Sequence, residues 1–200
     1  SNFNTAVGEG SMATGIMNAA ANNTALGYNT LNDMTSGARN TAIGQGAGDG
    51  LTTAQRCTII GDSAGSGVLV TGGSVPNNAD GTVAVGYSAL YALTTGAGNV
   101  ALGYSALSAQ TDGTYNIAIG YEAMDAMSTG EDHNIGIGYG VMGTMNNASS
   151  VTNLAIGSYA LDHTSTAAVH SCVALGQGTL GAANHAATSG SVAVGAYALG

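Results

Sequence analysis

The chain is 200 residues long, has only 6% charged residues, and carries a net charge of −9 with two arginines and no lysine. That balance excludes nucleic-acid binding and attachment to anionic lipid, both of which need basic clusters, and no apolar run reaches the ~18 residues of a membrane-spanning helix. Hydrophobic residues nonetheless make up 44% of the chain, with one Phe and no Trp, so a lone chain leaves a large apolar area in water and a partner surface is implied, most simply further copies of itself.

From the N-terminus, the first recognisable unit is Asn4-Thr5-Ala6-Val7-Gly8, and versions of it return to the end of the chain. Aligned on the glycine, the copies fall at Gly8, Gly27, Gly44, Gly61, Gly86, Gly103, Gly120, Gly138, Gly157, Gly176 and Gly195. The eleven copies are separated by 19, 17, 17, 25, 17, 17, 18, 19, 19 and 19 residues. A near-constant period of that length marks a solenoid, whose coils bury their apolar faces only by stacking. The predicted fold is all-β, a parallel β-solenoid of about eleven coils forming one domain over residues 1–200. At the strand spacing of about 4.8 Å it makes a rod roughly 50 Å long.

The residue before each glycine is aliphatic: Val7, Leu26, Ile43, Ile60, Val85, Leu102, Ile119, Ile137, Ile156, Leu175 and Val194. Two places earlier stands Thr in copies one to four (Thr5, Thr24, Thr41, Thr58) and Val, Ile or Leu thereafter. This i, i+2 spacing puts both side chains on one face of a strand of about five residues. Between them lies Ala in nine of eleven copies, Ile59 and Gly136 being the exceptions. A face kept so small and uncharged fits close packing, so both strand faces are expected to be covered, with the aliphatic residues before the glycines as the repeat core.

Asn opens seven copies (Asn4, Asn23, Asn40, Asn99, Asn116, Asn134, Asn153). There its amide is suited to bonding backbone at a corner and the same amide one coil on. The glycines read as turns needing positive φ or close backbone approach. The second half of each coil carries apolar pairs three apart, Leu31 with Met34, Leu90 with Leu93, Met124 with Met127, and Met142 with Met145. Such pairs fit one short helical turn with a glycine stop, or a second strand that bends.

Copy four breaks the period. The extra length falls in residues 66–80, which hold the only proline and read as a small hairpin about Gly72-Gly73 leaving the roll, or as a tolerated surface loop. From copy five the residue after the glycine is Tyr four times running, Tyr87, Tyr104, Tyr121 and Tyr139, with Tyr28 earlier. Stacked one per coil they form an aromatic ladder along a rim, suited to saccharide rings or to its own stacking. These four are the candidate receptor contacts.

Segments such as Asn40-Thr41-Ala42-Ile43-Gly44 and Asn116-Ile117-Ala118-Ile119-Gly120 resemble the Asn-x-Ala-Ile-Gly repeats of trimeric autotransporter adhesin heads and of phage tail fibres that use similar repeats. The resemblance runs from Asn4 to Leu199. It implies a left-handed parallel β-roll and three identical chains wound as a homotrimer. It also implies an extracellular place on a virion tail fibre or a bacterial surface, and service as a rigid shaft or adhesive head that touches a cell-surface glycan or receptor.

The residues offer little chemistry beside this. His133, His163, His170 and His185 show no metal-ligand spacing, and neither a nucleophile elbow nor a phosphate loop with Lys occurs. No catalytic, metal or cofactor residue is assigned and no reaction is expected, although an exposed calcium site near Glu131-Asp132 stays open. An ice-binding solenoid is the first alternative, from the Thr column, but its aliphatic neighbours imply burial. A polysaccharide-cleaving β-helix is the second; it needs clustered carboxylates, and Glu9, Asp62 and Glu122 stand far apart in the stack. Cys57 and Cys172 take the Asn position in copies four and ten, roughly 29 Å apart at the strand spacing. That distance is too long for a disulfide, so both are expected reduced and buried. The start at Ser1 and the end at Gly200 read as an ordered window of a longer chain.

Overall fold

The computed structural model describes residues 3–13, 20–67, 79–162, 168–181 and 189–199. Each motif copy contributes one strand: β1 (Thr5–Val7), β2 (Thr24–Leu26), β3 (Thr41–Ile43), β4 (Thr58–Ile60), β5 (Val83–Val85), β6 (Val100–Leu102), β7 (Ile117–Ile119), β8 (Ile135–Ile137), β9 (Leu154–Ile156), β10 (Val173–Leu175) and β11 (Val192–Val194). All eleven pair in parallel in chain order in one sheet. Equivalent residues lie opposite one another, as Ala101 does Ala118 and Leu102 does Ile119. The protein is a β-solenoid. Its strands have three residues rather than five, because the chain turns through positive φ two residues before the strand (Arg39, φ 61°; His133, φ 58°) and again at the glycine after it.

The strand's central residue faces inward. From Ala25 to Ala193 the Ala column is at most 4% exposed, and opposite it lie Leu31, Leu90, Leu107, Met124, Met142 and Leu161, all fully buried. Expected coverage of both strand faces therefore holds, within one chain, for the Ala face alone. Val7, Leu26, Ile43, Ile60, Leu102, Ile156 and Val194 are 36–68% exposed, and Val85, Ile119, Ile137 and Leu175 are half-exposed. The reason is alternation: a narrow coil has room for a methyl group where the strand meets the turns, so the larger neighbours at i±1 point outward.

Among the described residues, the second half of the coil is neither helix nor strand but a run of hydrogen-bonded turns. Ala89, Tyr91 and Leu93 donate N–H bonds to the carbonyls three residues back at Gly86, Ser88 and Leu90. Ser88 and Leu90 sit at φ 52° and 51°, and Ser105 and Leu107 repeat this one coil on. Leu in the left-handed region carries strain. It is held there because its side chain is buried in the core and its N–H bonds the next coil (Leu90 to Ala106 O, 2.9 Å). The i, i+3 apolar pairs are thus core residues carried on turns, neither on the helical turn nor on the second strand that their spacing allowed. Residues 68–78, most of the insertion, lie outside the described residues.

Both exceptions in the Ala column are matched in size across the core. Ile59 fills the space left by Gly65, whose missing Cβ would lie 3.2 Å from Ile59 Cδ1, while Gly136 makes room for Val141 and Met124, which a Cβ would approach to 3.1 and 2.7 Å. The interior conserves volume coil by coil.

The Asn residues form a buried ladder. Each side-chain oxygen accepts the backbone N–H of the equivalent residue one coil on, Asn99 from Asn116 and Asn116 from Asn134, both at 2.9 Å. Each side-chain amide donates to a carbonyl of the next coil, as Asn116 does to Glu131 O at 2.6 Å. Asn40 and Asn153 pass the ladder to Cys57 and Cys172. Both thiols are buried and outside any disulfide, filling the Asn slot. Thr82 follows Cys57 in this column, and its hydroxyl is buried without a partner.

Candidate functional site

Two surfaces of the solenoid stand out. The first is the outer face of the sheet, two columns wide. Its column before the glycines is aliphatic throughout. Its other column is Thr5, Thr24, Thr41 and Thr58 on β1–β4 and Val83, Val100, Ile117, Ile135, Leu154, Val173 and Val192 on β5–β11. From β5 onward the face is an unbroken aliphatic strip.

The second surface is the rim just past the glycine corner. The motif glycines have φ between 119° and 144°. A Cβ on Gly103 would lie within van der Waals overlap of Gly120 O, and Gly8 through Gly157 show the same close approach to the next coil's glycine. Because these corners superpose so tightly, the residue after each glycine projects at one coil spacing from its neighbour. Tyr87 and Tyr104 stack with centroids 5.1 Å apart and planes at 14°, Tyr104 and Tyr121 at 4.9 Å and 7°, and Tyr121 and Tyr139 at 5.4 Å and 15°. The ladder expected from the sequence is present, and each ring is about half exposed.

Tyr159 ends it, edge-on to Tyr139 at 5.1 Å and 81°. This residue sits one place later in its coil, and its ring lies over Gly140, whose Cβ would come 2.9 Å from Tyr159 Cε1. The same device seats Tyr115 over Gly98 and Tyr197 over Gly178. A Gly followed one period later by Tyr was the signal in the sequence, and the repeat alignment, focused on the first residue after the glycine, passed over it.

Shallow depressions lie along the rim among the described residues. One of about 340 Å³ is lined by Tyr28, Asn29, Gln45, Gly46, Asp49, Ser63, Ser66, Gly67 and Tyr91. A second of about 470 Å³ shares Ser63 and Tyr91 and adds Tyr87, Ser88, Ser105, Ser108 and Ala109. A third of about 200 Å³ is bordered by Glu122, Asp125 and Asp162 with Tyr139, Tyr159 and Thr144. The third corrects the expectation that no stacked coils bring carboxylates together: Gly140 and Gly143 of the intervening coil leave room for coils on either side to meet. Burial, then Glu122 and Asp162, raises the Asp125 pKa, while Asp162 accepts bonds from the Thr144 N–H and hydroxyl at 2.9 and 2.8 Å.

Among the described residues no group of three or more His, Cys, Asp or Glu is placed to hold a metal ion, and no helix is long and apolar enough to cross a membrane. Glu131 is fully buried, with its pKa raised by that burial, so it forms no exposed calcium site. Asp132 instead accepts the Thr114 N–H and hydroxyl. His133 packs on Tyr115 with centroids 5.2 Å apart, His170 is exposed, and His163 and His185 lie outside the described residues.

No family model, curated protein or solved structure matches this chain.

Proposed function

We propose that this chain is a stretch of a homotrimeric attachment fibre, on a phage tail or a bacterial surface, in which the solenoid is a rigid extracellular shaft and the rim contacts a cell-surface glycan. The observation that carries this reading is the aliphatic strip on the outer face of the sheet. One aliphatic column running the length of an eleven-stranded sheet, joined by a second from β5 onward, is far more apolar surface than a monomer keeps in water. With charge so sparse, another copy presenting the same strip is the fitting cover. Three-fold closure sets each strip against two neighbours, which is also what the likeness to trimeric adhesin and tail-fibre repeats implies. The rod shape, and a reading that involves no reaction, go with the role of a spacer.

The test is sedimentation of the purified chain. We expect a single species at three times the 19.3 kDa chain mass, and dissociation or aggregation when Leu102 and Ile119 are replaced by Asp. A folded, monodisperse monomer refutes the fibre. The Thr column of β1–β4, exposed at Thr5 and Thr24 and half-buried at Thr41 and Thr58, favours one second reading, ice binding, and a monomer that also slows ice growth is the result that supports it.

A further inference from the structure

Ladder geometry decides which tyrosines can receive a sugar ring. Tyr104 and Tyr121 are stacked on both faces, and Tyr139 lies between Tyr121 and the edge of Tyr159. Their rings are spent on one another and offer edges and hydroxyls only. Tyr87 is stacked by Tyr104 on one side, and on its other side the column continues with Asp62 and Gln45 before the next ring, Tyr28.

We propose that the trough between Tyr28 and Tyr87 binds a neutral hexose oligosaccharide laid along the solenoid axis. The two depressions share Ser63 and Tyr91 in their linings and together span coils two to six. Each has a volume in the range of ligand sites, which is about 300–1,000 Å³. Tyr28 and Tyr87 stand three coils apart, about 14 Å at the strand spacing, a length a short oligosaccharide spans. Both are 51% exposed and Tyr91 46%, so each presents apolar ring surface to the C–H face of a pyranose.

Between the rings the lining is polar in the way sugar hydroxyls require. Gln45 supplies a donor and an acceptor from one amide. Ser63 donates to Asp62 Oδ2 at 3.0 Å, leaving the serine oxygen's lone pairs free to accept. Asp49 lines the trough beside them, with its Oδ1 buried. The sign of the ligand follows from charge. Eleven acidic residues against two basic ones, with Asp49 and Asp62 at the trough itself, repel sulfated and sialylated chains.

This rests on the glycan half of the fibre reading, and titration calorimetry with saturation-transfer NMR separates the two. The probes are maltohexaose, cellohexaose and mannohexaose, with sialyllactose and a heparin hexasaccharide as charged controls. At least one neutral probe should bind with Kd below roughly 10 mM, and neither control should. Tyr28→Ala and Tyr87→Ala should each weaken it by about fivefold or more, the worth of one aromatic platform. Tyr87→Phe, which keeps the ring, and Tyr121→Ala, whose faces are already occupied, should stay within about twofold. Failure of all three neutral probes, binding of a charged control, or loss in Tyr121→Ala equal to that in Tyr87→Ala overturns the trough. Sedimentation of the same samples reports on the fibre: a trimer that binds no neutral probe removes the trough alone, and a monomer that binds one removes the fibre alone.

Discussion

Coils one to four and coils six to nine share a backbone and differ in what they present to water. Inside, both carry Ala on the strand except at Ile59 and Gly136, and a hydrogen-bonded Asn at the corner, Asn23 and Asn40 in one region and Asn99 to Asn153 in the other. Outside, the first region shows Thr on the sheet and interrupts its aromatic column with Gln45 and Asp62, whereas the second shows aliphatic side chains and an unbroken tyrosine stack. Stacking explains why only one side varies. An inward residue touches its own copies above and below at one coil spacing, so a change must be offset at once, as Gly65 offsets Ile59. An outward residue meets no such limit.

The largest effect should therefore be equal in the two regions. Gly27→Ala and Gly103→Ala each combine a positive φ with a Cβ that overlaps the next coil's carbonyl, and each should lower stability by about 3 kcal/mol or more in urea unfolding. Gly195 meets nothing within 4 Å, so Gly195→Ala should cost only the strain at its φ, roughly 1 kcal/mol. A large difference between Gly27 and Gly103 breaks the idea of a shared interior.

Next comes the ladder. Asn116→Ala leaves the Asn134 N–H and the Glu131 carbonyl unpartnered in the core and should cost about 2 kcal/mol. At the boundary between the regions the ladder is already interrupted by Cys57 and Thr82. There the opposite change, Thr82→Asn, should gain about 1 kcal/mol by offering a side-chain acceptor to coil six. No gain means the interruption has another origin.

The boundary also has a pH signature. Burial, the leading cause, raises the Cys57 thiol from 9.0 to about 11. The unfolded chain thus ionises first, and the thiol's contribution, full below pH 9, should fade as pH rises to about 11. The loss is about 2 kcal/mol, read as a shift in urea midpoint between pH 8 and 11 that Cys57→Ser should reduce, the remainder belonging to the Cys172 thiol, which burial also raises.

The smallest effect belongs to the outside. Tyr121→Ala should cost about 1 kcal/mol, the stacking of one ring on two neighbours, with no change in the sheet's circular dichroism.

The repeat register, the coil count, the Asn ladder and the four-tyrosine stack were all legible in the sequence because each is a column, and a column is periodicity written down. Which strand face points inward was not. Ala101 and Leu102 both fit a covered surface, and only the width of the closed coil assigns the methyl group to the inside. The turns were hidden for a related reason. Leu90 and Leu107 are poor candidates for positive φ on their own, and they adopt it because the coils above and below hold them there. Tyr159 and the meeting of Glu122 with Asp162 depend on absent side chains at Gly140 and Gly143, which reach across coils rather than along one.

The hydrogen bonds that join the coils run along the rod, since the strands lie across it. Tension applied end to end loads each coil's bonds as a zipper, one set after another, instead of shearing all of them together. A coil that lets go releases at least 17 residues of chain, which extend to about 60 Å where the folded coil occupied about 5 Å. A pulled solenoid of this kind lengthens more than tenfold at each step while the coils beyond stay folded, so its extension under load comes in discrete steps of one coil each.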